Sequence, residues 1–139
     1  MIIGNFIKGI APKHKNHYFS DLCSNSKNCK KNNIFFAIKG TKTDGNKFIN
    51  QAIKKGAKTI ISNQKFEGKK KKILFIKSSN VRKLLSEFAY SINKDKPKNI
   101  IAVTGTNGKS SVADFYFQIL KLNKKKVASI GTLGVKSNK

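Results

Sequence analysis

Short apolar runs alternate with amphipathic stretches along the chain, which is the pattern of strands that alternate with helices. The run from Ile34 to Ile38, closed by Gly40, predicts a buried strand. The segments "KTIIS" and "KILFIK" predict two further strands. The lysine-rich segment "NQKFEGKKKK" that separates them predicts a solvated loop.

Two segments repeat their apolar residues at the spacing of an amphipathic helix. The first is expected to stop at Gly56, and its apolar face consists of Phe48, Ile49, Ala52 and Ile53. The second has Ser79 available as its N-cap, and its apolar positions are Val81, Leu84, Leu85, Phe88 and Ala89. Both segments are therefore predicted to be helices with one buried face.

The polar segment "NKDKPKN" is the best linker in the chain, because Pro97 discourages continuation of the preceding helix. After it the pattern predicts a strand from Ile100 to Val103, a glycine loop and a helix. The apolar face of that helix consists of Val112, Phe115, Tyr116, Ile119 and Leu120. The segment "KKVASIGTLG" predicts one more strand and a loop.

This order predicts an α/β fold with mainly parallel sheets. A small N-terminal domain is expected at residues 1–97, and residues 98–139 are expected to be the first β-α-β unit of an incomplete second domain. A lone β-α-β unit cannot cover both faces of its strands. The apolar face of its helix is therefore expected to be only partly buried.

The formal charge of +24 over 139 residues raises the question of nucleic-acid binding. The lysines are spread along the whole chain, however, and Arg82 is the only arginine, so the charge does not favour a nucleic-acid partner. The N-terminus lacks a signal-peptide pattern, and no apolar run approaches the length of a membrane span. These features predict a cytosolic protein without a membrane partner.

Two cysteines and two histidines are the candidate metal ligands outside the glycine loop. Cys23 and Cys29 are separated by five residues, which is wider than the tight pair of a structural zinc site. Together with His14 and His17 they are better explained as free thiols and surface imidazoles.

The loop "TGTNGKSS", residues 104–111, stands between a predicted strand and a predicted helix, where phosphate-binding loops occur. Gly105 and Gly108 allow the backbone to come close to phosphates, Lys109 supplies a positive charge, and Ser110 offers a hydroxyl to Mg²⁺. The loop departs from the standard P-loop pattern at Val103, where that pattern has glycine. The alternative reading is a glycine turn that only connects two elements.

The whole string resembles the ATP loop of the Mur ligases, which build the peptide of peptidoglycan and whose loop reads T-G-T-N-G-K-[ST]-[ST]. Folylpolyglutamate synthetases carry a related loop, but they lack the N-terminal domain that this chain resembles. In the Mur ligase UDP-binding domain the pattern is D-S-R, then G-D-x-F-x-A-x-x-G, then D-G-x-x-F-I-x-x-A-x-x-x-G-A. The matching residues are Phe35, Ala37, Gly40, Asp44, Gly45, Phe48, Ile49, Ala52, Gly56 and Ala57. The chain departs from the pattern at Asn25, Lys27, Asn32 and Asn33.

The resemblance implies an ATP-dependent ligase that adds the third peptide residue, diaminopimelate or lysine, to UDP-MurNAc-L-Ala-D-Glu through an acyl phosphate. The "SIGTLG" segment resembles this type of Mur ligase. ATP would be held by Gly105, Thr106, Asn107, Gly108, Lys109, Ser110 and Ser111. Lys109 would be catalytic and Ser110 would bind Mg²⁺. Ser24 and Ser26 would lie near the uracil, and Thr41, Lys42 and Thr43 near the UDP-sugar.

Several alternatives stay open at this point. The chain could be a nucleotide-binding module without catalysis, a ligase of the type that adds D-Ala-D-Ala, or a lysine-rich nucleic-acid binder. The resemblance implies a monomer, and it implies that the remaining substrate and metal ligands of the family follow residue 139. The 139-residue chain alone is therefore expected to be an inactive fragment.

Overall fold

The computed structural model describes residues 1–138, which form two compact units. The first unit is Met1–Asp95 and the second begins at Lys96. The assignment of separate ligands to the predicted domains, 1–97 and 98–139, stays a prediction.

The first unit is built on a five-stranded sheet. Its strands are β1 (Leu22–Cys23), β2 (Ile34–Phe36), β3 (Thr59–Ser62), β4 (Gly68–Lys70) and β5 (Ile73–Lys77). They lie in the order β1-β2-β3-β5-β4, in which β1, β2, β3 and β5 are parallel and β4 is antiparallel to β5. The predicted α/β class with a mainly parallel sheet is confirmed.

The lysine-rich segment before β5 was wrongly predicted to be only a loop. Lys69 and Lys70 belong to β4, where they pair with Leu74 and Ile73 of β5. Both lysine side chains are exposed, because β4 forms the outer edge of the sheet, where charged residues are tolerated. Strand β2 is also shorter than the predicted range, since it ends at Phe36 rather than Ile38.

The two predicted helices of this unit are α1 (Ile49–Lys54) and α2 (Val81–Ile92). Short 3-10 turns occupy Ile3–Asn5, Pro12–His14, Ser26–Asn28 and Gly45–Phe48. Gly56 follows α1 with φ 111°, which confirms its predicted role as the stop. The predicted N-cap of α2 was wrong by one residue: Asn80 Oδ1, not Ser79, accepts a hydrogen bond from Lys83 N at 2.9 Å.

Successive residues of each strand point to opposite faces of the sheet, so the sheet has a core on both sides. On one face α2 and the N-terminal segment cover a cluster that includes Ile34, Phe36 and Phe88. On the other face α1 covers a cluster that includes Phe35, Ala52 and Ile60. The buried three-layer arrangement accounts for the near-continuous apolar sequences of β2, β3 and β5.

The second unit consists of α3 (Lys109–Leu122) and a hairpin formed by β6 (Ala128–Gly131) and β7 (Gly134–Ser137). The predicted strand from Ile100 to Val103 was wrong, since this described segment is not a strand, and Ile100 is 82% exposed. A strand needs a hydrogen-bonded neighbour, and the sheet of this unit consists of β6 and β7 alone among the described residues.

Helix α3 presents its predicted apolar face largely to solvent. Four of its residues are 45–63% exposed: Val112, Phe115, Tyr116 and Ile119. The expectation that this face would be only partly covered is confirmed. The residue that the helix buries is Phe117, which the sequence pattern did not select. Among the described residues, no helix is both long and apolar enough to cross a membrane.

Candidate nucleotide-binding sites

The glycine loop leads directly into the N-terminus of α3. Gly105 has φ 148° and Gly108 has φ 73°, conformations that side chains other than glycine rarely adopt. Gly108 also accepts a hydrogen bond from Val112 N at 2.9 Å, so it forms the start of the helix. The next amides of α3 have no partner within the helix, and this geometry suits an anion such as a phosphate.

Lys109 folds back over the loop that precedes it. Its ammonium group donates to the carbonyl oxygens of Gly105 and Thr106, the second at 2.9 Å. Because the side chain is exposed, it can leave these carbonyls and meet a negatively charged group at the same loop. The structure thus brings together the predicted loop residues and the predicted lysine.

Ser110, the predicted Mg²⁺ ligand, meets the turn of the β6–β7 hairpin. Its hydroxyl lies 2.9 Å from Thr132 Oγ1. Below this pair, Lys136 of β7 bonds to Asp114 of α3. These residues surround a small hollow between the helix and the hairpin, which is also lined by Ala113 and Ser129.

Two residues of this hollow, Thr132 and Asp114, were not among the site residues predicted from the sequence. Thr132 stands in the "GTLG" turn, which carried the family resemblance, but its partner Ser110 lies 22 positions earlier. Asp114 is bonded by Lys136 and by Gln118, and these two hydrogen bonds lower the pKa of its carboxyl group. Asp114 therefore stays ionised and holds α3 to the hairpin beside the loop.

No group of three or more His, Cys, Asp and Glu side chains within residues 1–138 is arranged to hold a metal ion. His14 and His17 are half-buried rather than fully at the surface, which corrects the expectation of surface imidazoles. Their Nε2 atoms are buried and lack a hydrogen-bond partner among the described residues. Cys23 and Cys29 are free thiols, as predicted.

In the first unit, the segments predicted to bind UDP-sugar leave the sheet at one edge. Ser24 follows β1, and Thr41 to Thr43 come after β2, the adjacent parallel strand. Ligands of open α/β sheets bind at this edge, outside the carboxyl ends of the strands. Ser24 and Asn25 line a surface hollow there, whose lining does not include Thr41 to Thr43.

Ser26 is the one predicted substrate residue that is buried. Its hydroxyl donates to Gln51 Oε1 of α1 at 2.6 Å, and the side chain is only 6% exposed. Gln51 was not selected from the sequence. The oxygen of Ser26 keeps lone pairs to accept another donor, but the contact with α1 fixes its direction.

The positions that depart from the family pattern have structural roles of their own. Asn25 takes the aspartate position, and its Oδ1 accepts from Lys27 N at 3.0 Å to cap the turn Ser26–Asn28. Asn32 takes the glycine position with φ 63°. Asn33 is buried, and its Oδ1 accepts from the Ser20 hydroxyl at 3.0 Å. The loop therefore keeps a defined path despite the changes.

The loop with Thr41, Lys42 and Thr43 is exposed and closed at its base. Gly40 N donates to Thr43 O at 2.9 Å. Asp44 then caps the turn Gly45–Phe48 by accepting from Asn46 N at 2.9 Å, which lowers the pKa of its carboxyl group. A Cβ on Gly45 would lie 2.6 Å from the backbone of Ile38, so Asp44-Gly45 is structural, as predicted.

The chain is similar to known proteins in sequence and in fold. Residues 20–92 match the model described as "Mur ligase family, catalytic domain". The chain is 46% identical over 121 residues to the UDP-N-acetylmuramoyl-L-alanyl-D-glutamate--2,6-diaminopimelate ligase of Rickettsia prowazekii. That alignment covers 87% of this chain and 25% of the relative. The enzyme of the same name from Clostridium tetani is 49% identical over 113 residues, covering 78% of this chain and 23% of the relative.

Two solved structures are similar in fold. A UDP-N-acetylmuramoyl-L-alanyl-D-glutamate--2,6-diaminopimelate ligase has a TM-score of 0.73 at 23% identity, covering 99% of this chain and 28% of its own. The MurF ligase of Thermotoga maritima in complex with ADP has a TM-score of 0.59 at 26% identity, covering 76% and 24%. The chain thus spans about a quarter of the length of the relatives that it matches.

Proposed function

Because the chain belongs to the Mur ligase family, we propose that it provides the UDP-sugar-binding and ATP-loop segments of a MurE-type ligase. This ligase would add diaminopimelate to UDP-MurNAc-L-Ala-D-Glu during peptidoglycan precursor synthesis. The names of its relatives support this substrate over lysine. The observation that carries the proposal is the glycine loop, which leads into the N-terminus of α3 and against which Lys109 folds back.

ATP would lie with its phosphates against Gly105 to Ser111. The left-handed glycines fit this role, since a Cβ on Gly108 would meet nothing within 4 Å and the backbone is open to an approaching group. Lys109 would then turn from the loop carbonyls toward the β- and γ-phosphates. There its charge would offset the negative charge that builds up during phosphoryl transfer.

Mg²⁺ fits Ser110 as one oxygen ligand among phosphate oxygens and water, because this ion usually keeps several waters and few protein ligands. Bound there, Mg²⁺ would supply further charge compensation to the phosphates. The hydrogen bond between Thr132 and Ser110 would orient the hydroxyl of Ser110 toward the loop.

The reaction would proceed in two steps on the substrate. The D-glutamate carboxylate takes the γ-phosphoryl group of ATP, and an acyl phosphate and ADP result. The diaminopimelate amine then attacks the acyl carbon, and phosphate leaves as the amide bond forms. In this chain, Lys109 and the loop amides would assist the first step by binding the phosphates of ATP.

The first unit would hold the UDP end of the substrate. Ser24 and Ser26 would lie near the uracil, and Thr41, Lys42 and Thr43 near the sugar nucleotide. The common sheet edge from which both segments leave supports this arrangement. We further propose a cytoplasmic monomer whose partners are these small molecules rather than nucleic acid or membrane.

A MurF-type ligase, which adds D-Ala-D-Ala, is the second candidate. The structural similarity to a MurF ligase supports it at the level of the fold. The higher sequence identity to diaminopimelate ligases favours the MurE type. A nucleotide-binding module without catalysis would use the same two sites.

Binding of ATP to the full 139-residue chain tests the role of the loop. Lys109→Ala should weaken the affinity for a fluorescent ATP analogue about tenfold or more, because a charge-assisted contact to phosphate is lost. The matched control is Lys121→Ala, which removes the same charge from the other end of α3. It should leave the affinity within about twofold of the parent chain.

The control matters because a chain with a charge of +24 attracts ATP without a specific site. Titrations at two salt concentrations separate the two effects, since general attraction declines with salt. Equal losses for Lys109→Ala and Lys121→Ala would contradict a loop site.

A further inference from the structure

Two cysteine side chains meet beneath the loop that follows β1. Cys23 ends β1, and Cys29 follows the turn Ser26–Asn28. Their Sγ atoms are 2.6 Å apart, and the Cys29 thiol donates to Cys23. The sulfurs of a disulfide are about 2.05 Å apart, so a shift of about half an ångström would join them. These are the two cysteines of the whole sequence, and no third thiol competes.

Both thiols are buried, Cys23 at 7% and Cys29 at 5% exposure, but only one of them borders a surface hollow. Cys23 lines the surface hollow at the sheet edge, together with Ser24, Asn25 and Asn28, whereas Cys29 is not part of that lining. Burial, and then the hydrogen bond with Cys23, raises the pKa of the Cys29 thiol to about 12. Cys29 therefore keeps its proton, and Cys23 is the sulfur that a small reagent meets first.

We propose that Cys23 and Cys29 are an oxidation site, at which hydrogen peroxide or a small hydroperoxide converts the two thiols into a reversible intramolecular disulfide. In the proposed cytoplasmic location, disulfides are usually transient rather than structural, so a reversible bond is expected.

The chemistry balances with one peroxide. The Cys23 thiolate attacks a peroxide oxygen, the O–O bond breaks, and hydroxide leaves, so that Cys23 becomes a sulfenic acid. The Cys29 sulfur then attacks the Cys23 sulfur, the S–O bond breaks, and water leaves with the proton of Cys29. Two thiols and one peroxide give one disulfide and two waters.

The disulfide would close the segment 24–28 into a small ring. Cys23 already donates to Asn25 O at 2.9 Å, so the loop is tied to this sulfur before oxidation. Ser24 and Ser26 lie within the ring, and oxidation would thus fix the loop proposed to meet uracil. This effect on ligand binding rests on the proposed function, whereas formation of the disulfide does not.

The test uses the full chain, a limited amount of hydrogen peroxide and subsequent alkylation of the remaining thiols. The intact mass should fall by two hydrogens, without alkyl groups and without dimer, and dithiothreitol should restore both thiols. Two alkylated cysteines, oxygen adducts alone, or disulfides between chains would overturn the proposal.

Single variants assign the order of attack. Cys29→Ser should stop at a sulfenic acid on Cys23, which dimedone traps. Cys23→Ser should react at least about tenfold more slowly, because the raised pKa of Cys29 leaves little thiolate. Equal rates in the two variants would contradict the assignment of Cys23 as the attacking sulfur.

Equilibration in glutathione redox buffers shows whether the folded structure, rather than the short sequence separation of the two cysteines, promotes the disulfide. The effective concentration of one thiol at the other should be about tenfold or more higher in the folded chain than in urea. Equal values would mean that the fold does not create the site.

The UDP affinity of the reduced and oxidised chains tests the effect of the disulfide on the loop. Equal affinities would overturn that effect. If neither form binds UDP, the proposed function fails, but the disulfide result stands.

Discussion

Asn32 holds a backbone conformation that most side chains avoid. Its φ is 63°, at a position where the family pattern has glycine. Its amide donates to Gly56 O at 2.9 Å, and its carbonyl accepts from Ser20 N at 3.0 Å. Asparagine tolerates the left-handed region better than other side chains, so the substitution preserves the path of the loop.

Replacement of this single residue tests that explanation. Asn32→Ala should lower the free energy of unfolding by about 1 kcal/mol or more, because alanine is strained in the left-handed region. The free energy of unfolding of Asn32→Gly should lie within about 0.5 kcal/mol of that of the parent chain, since glycine adopts this conformation freely. Urea denaturation of the full chain, followed by circular dichroism, measures both. Similar losses in the two variants would show that the asparagine side chain, rather than its φ, matters.

Residue contacts at the two sites depend on partners that are distant in sequence. Ser26 bonds to Gln51, and Ser110 to Thr132, across 25 and 22 positions respectively. The motif could predict the loop residues because their spacing is local. It could not predict these partners, since tertiary folding brings them together.

At the scale of elements, the periodicity of apolar residues predicted the strands and helices that pack in the core. Strands β2, β3 and β5 and helix α2 each bury part of their apolar residues, and the sequence placed all four. Strand β4 was missed because an edge strand of lysines carries no apolar alternation. The strand at 100–103 was wrongly predicted, because an apolar run becomes a strand only where a neighbour pairs with it.

The cap of α2 provides a test at this scale. Asn80→Ala should lower the free energy of unfolding by about 1 kcal/mol, because the Lys83 amide loses its acceptor. The control Ser79→Ala, at the neighbouring exposed position, should change it by less than about 0.5 kcal/mol. Thermal unfolding followed by circular dichroism compares the two. A larger loss for Ser79→Ala would favour the cap predicted from sequence.

At the scale of the whole molecule, the two main cores lie in one unit. Every buried residue of both clusters falls between Ile3 and Phe88. The second unit buries Phe117 and leaves the apolar face of α3 exposed. The two units should therefore differ in their ability to fold alone.

Residues 1–95 are expected to fold without the rest of the chain. Their amide NMR spectrum should overlay that of the same residues in the full chain, because both cores are complete within them. Addition of UDP should shift amides at 24–28 and 41–43. A collapsed spectrum would refute autonomous folding. A well-dispersed spectrum with shifts confined to α2 would instead refute the proposed UDP position.

The two outer strands of the five-stranded sheet also affect how copies of the molecule meet at high concentration. Strand β1 has only two residues, and β4 offers Gly68 and two lysines to any approaching strand. A second copy that added its own strand at either side would gain few ladder bonds or would bring like charges together. Both edges of the sheet therefore disfavour the addition of further strands, which is how fibres grow. At one of the two edges this effect comes from the lysines of β4.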